Sequence, residues 1–373
     1  MGRNDIQMRE NGLGNKKKLE FKDVTKKYGN ILAVNSVSFY VEQGEFMFLL
    51  GPSGCGKTTT LRMIAGFEKL TKGRISIDGR DIGNIPPYKR NTGFIFQNYA
   101  LWPHMTVFEN IALGLKVRKI ETKKINQRVE EMGSLLKISG LEERYPRELS
   151  GGQQQRVAIA RVLAIKPDML LMDEPLSSLD KKLREYMRVE LKQLQKKLGI
   201  TTLYVTHDQI EAFSMADRIV IMNNGSIIQI GRPNEIYDKP KDKFVADFVG
   251  NINIFEGEIL EISSIWAIFK IYNGPTLKVF AKEGLKVGDK LNIMIRPEKL
   301  MISRELIEAI NVFSGKVKFV EYCGSILNYF LELENYQGKT IVAQRQNIDN
   351  IMLNEKKEVY VKIDPAYCYF SLT

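Results

Sequence analysis

The run Gly51-Pro52-Ser53-Gly54-Cys55-Gly56-Lys57-Thr58-Thr59 constrains what this chain can fold into more than any other stretch. An unbroken apolar segment, Phe46-Met47-Phe48-Leu49-Leu50, precedes it and reads as a buried strand. Leu61-Arg62-Met63-Ile64-Ala65 follows and reads as the start of a helix. Strand, glycine-rich turn and helix is the context in which G-x-x-x-x-G-K-[ST] makes a phosphate-binding loop. The glycines let the backbone curl until its N–H groups face an anion, and the positive end of the helix adds to that field. Lys57 would reach the β- and γ-phosphates of a nucleotide, and the Thr58 hydroxyl would sit on Mg2+. All four fixed positions match, so an ordinary polar turn is the weaker reading.

At 373 residues the chain exceeds one compact domain, and two or three are expected. Hydrophobic residues at 44% and charged residues at 27% place it among ordinary globular proteins. Cys55, Cys323 and Cys368 share no paired spacing, which argues against a zinc site or a disulfide framework and fits a reduced, cytosolic compartment. No apolar run approaches the about 18 residues that span a bilayer, and no secretory signal is expected. The formal charge of +11 is dispersed, and its densest clusters, Lys16-Lys17-Lys18, Lys123-Lys124 and Lys181-Lys182, are short. Such dispersion predicts solubility and attraction to an anionic surface such as the inner membrane leaflet, rather than nucleic-acid binding.

Residues 1–18 are polar, basic and aperiodic, and read as a disordered leader. Two short strand patterns within 19–41 flank Tyr28-Gly29-Asn30. An aromatic ahead of a phosphate loop can stack on a purine, although a plain turn aromatic is the commoner role. Thr92-Gly93-Phe94-Ile95-Phe96-Gln97 is a strand ending on an amide that can hold Mg2+ or position a water. An aromatic-rich loop, Tyr99-Ala100-Leu101-Trp102-Pro103-His104, and helices at 107–116 and 123–137 then interrupt the strand–helix alternation. Leu149-Ser150-Gly151-Gly152-Gln153-Gln154-Gln155-Arg156 opens another helix. Ser150 is its natural N-cap, and the small residues leave N–H groups free for phosphate; a merely capped helix explains the run equally well.

Met169-Leu170-Leu171-Met172-Asp173-Glu174 is an apolar strand ending in two carboxylates. Asp173 suits Mg2+ shared with Thr58, and Glu174 can accept a proton from an attacking water. Ser177-Ser178-Leu179-Asp180 precedes a helix rich in Lys, Leu and Gln. A β-branched strand at 201–206 delivers His207, one of only two histidines with His104, to the end of a core strand, as 169–173 delivers its acids. Beyond about residue 246, short apolar runs at 265–271, 291–295, 315–320, 327–333 and 359–363 predict an OB-type barrel or sandwich. No basic-aromatic stripe marks it for oligonucleotides, so regulation or dimerisation is its expected role.

Together these residues resemble the nucleotide-binding subunits of ABC transporters over 19–250. The resemblance makes Tyr28 the A-loop aromatic, 51–58 Walker A, Gln97 the Q-loop and 149–153 the LSGGQ signature. It makes 169–173 Walker B, Glu174 the catalytic glutamate, 177–180 the D-loop ending in Asp180, and His207 the switch. Nucleotide contacts are implied for Tyr28, 51–59, Ser150, Gly151, Gly152, Gln153 and Asp180, and Mg2+ ligation for Thr58, Gln97 and Asp173. The implied fold is an α/β P-loop NTPase domain of ABC type over 19–245, with a helical subdomain at about 98–165. An all-β OB-like domain of TOBE type follows over 246–373.

Ile230-Gly231-Arg232-Pro233-Asn234-Glu235-Ile236-Tyr237 and Arg296-Pro297-Glu298 look like the importer branch that carries this tail, which includes polyamine, ferric iron, sulfate, phosphonate and maltose-type ATPases. The resemblance implies a transporter ATPase, peripheral on the cytoplasmic side of the cell membrane, that takes ATP and Mg2+. Its implied partners are membrane permease subunits, which would dock beside 99–105, and indirectly a solute-binding protein, without nucleic acid. In this family each ATP lies between Walker A of one subunit and the signature of another, so one cassette per chain implies a homodimer. Gly250-Asn251-Ile252-Asn253-Ile254-Phe255, Gln153-Gln154-Gln155-Arg156 and Pro86-Pro87-Tyr88-Lys89-Arg90-Asn91 lean toward a small polar solute such as a polyamine, with a sugar, ferric iron, sulfate or phosphonate importer as the alternative. Trp102 also occurs among sugar importers, and Ser178 replaces the commoner Ala or Asn. Among non-transport ABC ATPases, a DNA-repair enzyme would need a long coiled coil between Gln97 and Ser150, and a translation factor would need two cassettes.

Overall fold

The computed structural model describes residues 16–336, 338–348 and 353–372, in two units, one ending at Ile236 and one beginning at Tyr237. Most of the expected leader lies outside the described residues. Lys17 and Lys18, assigned to it on composition, instead open the first strand, because Lys18 is drawn inward by Asp78, whose Oδ2 lies 2.6 Å from its ammonium.

The first unit begins with β1 (Lys17–Tyr28), β2 (Ile31–Glu42), β3 (Phe46–Leu50), α1 (Lys57–Ala65), β4 (Lys72–Ile77), β5 (Arg80–Asp81) and β6 (Thr92–Ile95). Three helices follow, α2 (Val107–Val117), α3 (Thr122–Leu136) and α4 (Gly151–Ala164). Then come β7 (Met169–Asp173), α5 (Lys181–Leu198), β8 (Thr202–Thr206), α6 (Gln209–Met215), β9 (Arg218–Asn223) and β10 (Ser226–Gly231). A six-stranded sheet runs β10-β9-β3-β8-β7-β6, parallel except for the β9–β10 pair. Every residue of β3, β7 and β8 is buried, as continuous apolar runs covered on both faces must be.

A four-stranded antiparallel sheet, β2-β1-β4-β5, supplies the second layer. Here β1 and β2 each run for 12 residues, longer than the short patterns in the sequence, because register shifts along their ladder interrupt the alternation. One apolar core joins the inner residues of that sheet, such as Phe21 and Val37, with Leu61 and Ile64 of α1 and Met47, Leu171 and Val205 of the parallel sheet. Arg90 closes the C-terminal end of α1, donating to the carbonyls of Met63 and Ile64 at 2.6 and 2.8 Å and to Ile85 at 2.6 Å.

The helical insertion is fixed by polar groups as much as by packing. Thr106 caps α2 in a reciprocal box with Glu109. Fully buried Asn110 accepts from the Trp102 N–H and donates to the Trp102, Met105 and Thr106 carbonyls, which sets the path of the aromatic loop. Arg128 holds the Leu163 and Ala164 carbonyls at the end of α4.

In the second unit, one five-stranded antiparallel sheet orders Thr276–Phe280, Trp266–Ile271, Asn253–Ile262, Lys290–Ile295 and Tyr369–Leu372. The other orders Leu300–Ser303, Glu358–Ile363, Val312–Tyr322, Ile326–Leu333 and Ile341–Gln346. Both contribute to a single core around Phe255, Phe269, Tyr329 and Val361. Four of the five runs read from the sequence fall within a strand, and 265–271 overruns its strand, Trp266–Ile271, by one residue. Strands such as Asn253–Ile262 escaped because exposed Glu256 and Glu261 break the apolar pattern. Arg296, only 3% exposed, donates to the carbonyls of Tyr237, Ala246, Gly250 and Asn251 and stacks 4.1 Å from the Tyr237 ring. The Tyr237 hydroxyl donates to Glu298 at 2.9 Å, and burial, reinforced by that carboxylate, pushes its pKa to about 12.

Within β8, fully buried Tyr204 donates its hydroxyl to Glu211 Oε2 at 2.9 Å and so ties α6 to the sheet. Burial raises the Glu211 carboxyl above its ordinary value, against hydrogen bonds from Thr206 and Tyr204. A carboxyl raised in the folded state contributes most below its unfolded pKa and loses that contribution as pH rises through the folded value. Glu211→Gln keeps an acceptor for Tyr204 without the buried charge. It is expected to raise the melting temperature near neutral pH and to flatten its decline from weakly acidic to neutral pH. Melting curves with the same slope as the parent would remove Glu211 as the cause.

Candidate active site

The turn after β3 needs its glycine at position 56. Gly56 has φ +100°, and a Cβ there would strike the Ala33 carbonyl. No side chain caps the N-terminus of α1, so its first N–H groups are left for another acceptor. Lys57 is 5% exposed, and its ammonium donates to the Gly51 and Pro52 carbonyls at 2.7 and 2.9 Å. Cys55 is buried beneath the turn, and burial raises its thiol pKa despite the neighbouring Lys57 charge. Ser53 and Gly54 form the exposed tip, and Thr59 is half-buried on the helix.

At the end of β7, the buried Asp173 Oδ1 accepts from Thr58 Oγ1 at 3.0 Å. Burial raises its carboxyl pKa, while the Thr58 hydrogen bond and the charges of Arg62 and Lys57 oppose the shift and the Glu174 charge adds to it. A hydroxyl beside a buried carboxylate that is costly to ionise fits a hard cation such as Mg2+, which takes one or two protein oxygens and fills its shell with water and phosphate. Among the described residues no group of three His, Cys, Asp or Glu side chains forms a protein-only metal cage.

Glu174 follows in the left-handed region at φ +46°, a strained place for a residue with a Cβ. Its N–H donates to the Val205 carbonyl, and its own carbonyl accepts from the Ser177 N–H and hydroxyl. The carboxylate is held from two sides. Gln97 Nε2 donates to Oε2 at 3.3 Å, and His207 Nδ1 lies 3.1 Å from Oε1. Six residues picked from the sequence, Lys57, Thr58, Gln97, Asp173, Glu174 and His207, thus gather where β3, β6, β7 and β8 end.

Among the described residues, Ser150 to Gln153, Asp180 and Tyr28 make no hydrogen bond to these six. Ser150 caps α4, accepting from the Gln153 N–H at 3.4 Å while Gln153 Oε1 accepts from the Ser150 N–H at 2.9 Å. Gly151 is exposed and Gly152 buried at the same helix start. Among the described residues no hydrogen bond joins 150–153 to the phosphate loop, Gln97 or the two acids. Asp180 caps α5 through the Leu183 N–H. Tyr28 is 42% exposed, with the Lys26 ammonium 4.5 Å from its ring centroid. Its phenol pKa is raised by burial and then by Glu68, against a hydrogen bond with Thr59, so the ring stands beside the loop. Sequence reasoning passed over Arg62, whose charge favours ionised Asp173; its spacing of four from Thr58 on one helix face was the available signal.

A phosphate turn, paired acids and a histidine converging on the ends of parallel strands, with an inserted helical subdomain, define an ATP-binding cassette. A family model described as ABC transporter matches residues 34–177, and a TOBE domain model matches 293–370. The chain belongs to the ATP-binding subunits of ABC transporters. It is 45% identical to the spermidine/putrescine import ATP-binding protein PotA of Rubrobacter xylanophilus, over 94% of this chain and 92% of that one. The protein of the same name from Thermotoga maritima is 44% identical, over 93% and 96%. Among solved structures, a dimeric post-hydrolysis state of the ATP-binding cassette MJ0796 bound to ADP and Pi is similar at 34% identity and a TM-score of 0.52, covering 58% of this chain and 98% of that one.

Stacking of an adenine on Tyr28 is expected to contribute about 1 kcal/mol beyond buried area. Tyr28→Ala should therefore weaken nucleotide binding about fivefold in a fluorescence titration, and Tyr28→Phe should leave it nearly unchanged. Equal losses would transfer the effect to the hydroxyl beside Glu68 and Thr59.

Proposed function

We propose that this chain hydrolyses ATP to drive import of a polyamine, working as a homodimer against permease subunits on the cytoplasmic side of the cell membrane. The observation that carries the ATPase reading is the Glu174 carboxylate, held by Gln97 and His207 beside the Thr58–Asp173 pair. In this reading Lys57 turns from the Gly51 and Pro52 carbonyls toward the β- and γ-phosphates, while the N–H groups of 51–59 cradle them. Thr58 and Asp173 would hold Mg2+, and the Gln97 amide oxygen would be a further ligand. When bound, the ion supplies neutralising charge to the phosphate oxygens. Glu174 takes a proton from the attacking water, and His207 and Gln97 orient the carboxylate for it.

The signature residues Ser150, Gly151, Gly152 and Gln153, with Asp180, would complete the site of a second copy. The dimeric state of the similar ADP-bound cassette supports that role. The solute is supported by relatives whose names specify spermidine and putrescine and which match this chain over nearly its whole length. A solute-binding protein would act on this chain only through the permease, and no nucleic acid takes part.

Glu174→Gln retains size and hydrogen bonding but cannot accept a proton. ATP binding should survive, while turnover falls by about 10²-fold or more. The variant should trap a closed, ATP-dependent pair, detectable by cross-linking cysteines placed in the phosphate loop and the signature, and Ser150→Arg should release it. Hydrolysis at the parental rate would exclude Glu174 as the base and turn attention to His207.

The solute is tested in the reconstituted transporter. Spermidine or putrescine with its binding protein is expected to stimulate ATP hydrolysis. Stimulation by an oligosaccharide and its binding protein alone would overturn the polyamine reading and leave the ATPase reading intact.

A further inference from the structure

Two successive residues with side chains, Tyr99 at φ +60° and Ala100 at φ +46°, occupy the left-handed region just after Gln97. Such a pair does not persist unless its surroundings hold it. Arg161 of α4 does so, donating from Nη2 to the Tyr99 carbonyl at 2.8 Å and from Nη1 to the Ala100 carbonyl at 2.6 Å. The turn sends the Tyr99 ring inward, where it is 4% exposed. There its hydroxyl accepts from Ser178 Oγ at 2.9 Å, a bond that alanine at 178 could not make.

The same 177–179 segment is gripped from its other side. Arg184 of α5 donates from Nη2 to the Ser177 and Leu179 carbonyls at 3.3 and 2.9 Å. Its Nη1 lies 3.6 Å from Oδ2 of Asp208, the residue after His207. Ser177 in turn donates its N–H and hydroxyl to the Glu174 carbonyl. One short segment is therefore bonded to the turn that carries Gln97 and to Glu174 itself, and is linked through Arg184 to the turn that carries His207.

We propose that Tyr99 and Arg184 are positioning residues through which segment 177–179 controls the Gln97 and His207 contacts on Glu174. This rests on Glu174 as the base; the Tyr99 hydroxyl bonds to Ser178 and Arg184 to Ser177, Leu179 and Asp208, so both act on the carboxylate through other residues. Ser178 and Asp180 are exposed, so a second copy of the chain pressing on this segment would act on both turns at once. The coupling runs through hydroxyl and guanidinium donors with defined directions. Loss of a single oxygen should loosen it without emptying the core.

Tyr99→Phe, Ser178→Ala, their double variant and Arg184→Lys are compared with the parent for ATPase kinetics and thermal melting. Each single change is expected to lower kcat about fivefold, with KM for ATP and melting temperature nearly unchanged. The double variant should be no slower than the slower single variant, because both remove one bond. Losses that multiply, or a change confined to KM or melting temperature, would reduce Tyr99 to a packing residue. Parental kcat in Tyr99→Phe and Arg184→Lys would overturn the proposal. Glu174→Gln, assayed alongside, separates the two readings. If it is inactive while those variants are unaffected, only the positioning role fails; if it turns over at the parental rate, the base assignment fails and takes this proposal with it.

Discussion

Leu50 lies beside Thr206, and Val205 beside Asp173, in the parallel ladder that joins β3, β8 and β7. Three strands thereby end at one level, and each releases its functional residue there. The turn after β3 supplies Lys57 and Thr58, β7 supplies Asp173 and Glu174, and β8 supplies His207. A slip of one residue in any strand would turn its side chains to the opposite face and break the ladder bonds that follow. Complete burial of all three strands makes that slip costly. The Thr58–Asp173 hydrogen bond and the contacts on Glu174 are consequences of this register.

Strain collects where the chain leaves the sheet. Glu174, Tyr99 and Ala100 all take left-handed conformations that residues with a Cβ avoid, and all lie within the network around the Glu174 carboxylate. Backbone carbonyls exposed by these turns find donors on arginine: Arg161 serves Tyr99 and Ala100, and Arg184 serves Ser177 and Leu179. Arg90, Arg128 and Arg296 act likewise at helix ends and in the second unit. A guanidinium offers five donors in a rigid fork, so one side chain can satisfy two to four carbonyls that lysine could not reach together. Part of the basic balance, which reads from composition as surface charge, is thus internal stapling.

The second unit shows the same stapling. Its two antiparallel sheets share one core, and buried Arg296 gathers four carbonyls from 237–251 while stacking on Tyr237. In the sequence, Arg296-Pro297-Glu298 stood out only as a family resemblance. The structure supplies a physical reason for its first and third members, because Arg296 binds the segment and Glu298 accepts from the Tyr237 hydroxyl.

The phosphate loop, the apolar strands before it and before Asp173, the cap of α4 at Ser150 and the all-β character of the tail were legible in the sequence. Each is local, set by spacing, glycine content or unbroken hydrophobicity over a few residues. Half-polar strands such as Asn253–Ile262 were not legible, since exposed acids hide their buried face. Nor was the inward turn of Tyr99, whose left-handed backbone no local propensity favours. Which nitrogen meets which oxygen of Glu174, and which carbonyls Arg161 and Arg184 hold, depends on segments far apart in the chain. Only the packed sheet brings those segments within hydrogen-bonding distance, so the sequence named the candidate groups and the tertiary structure decided how they are held.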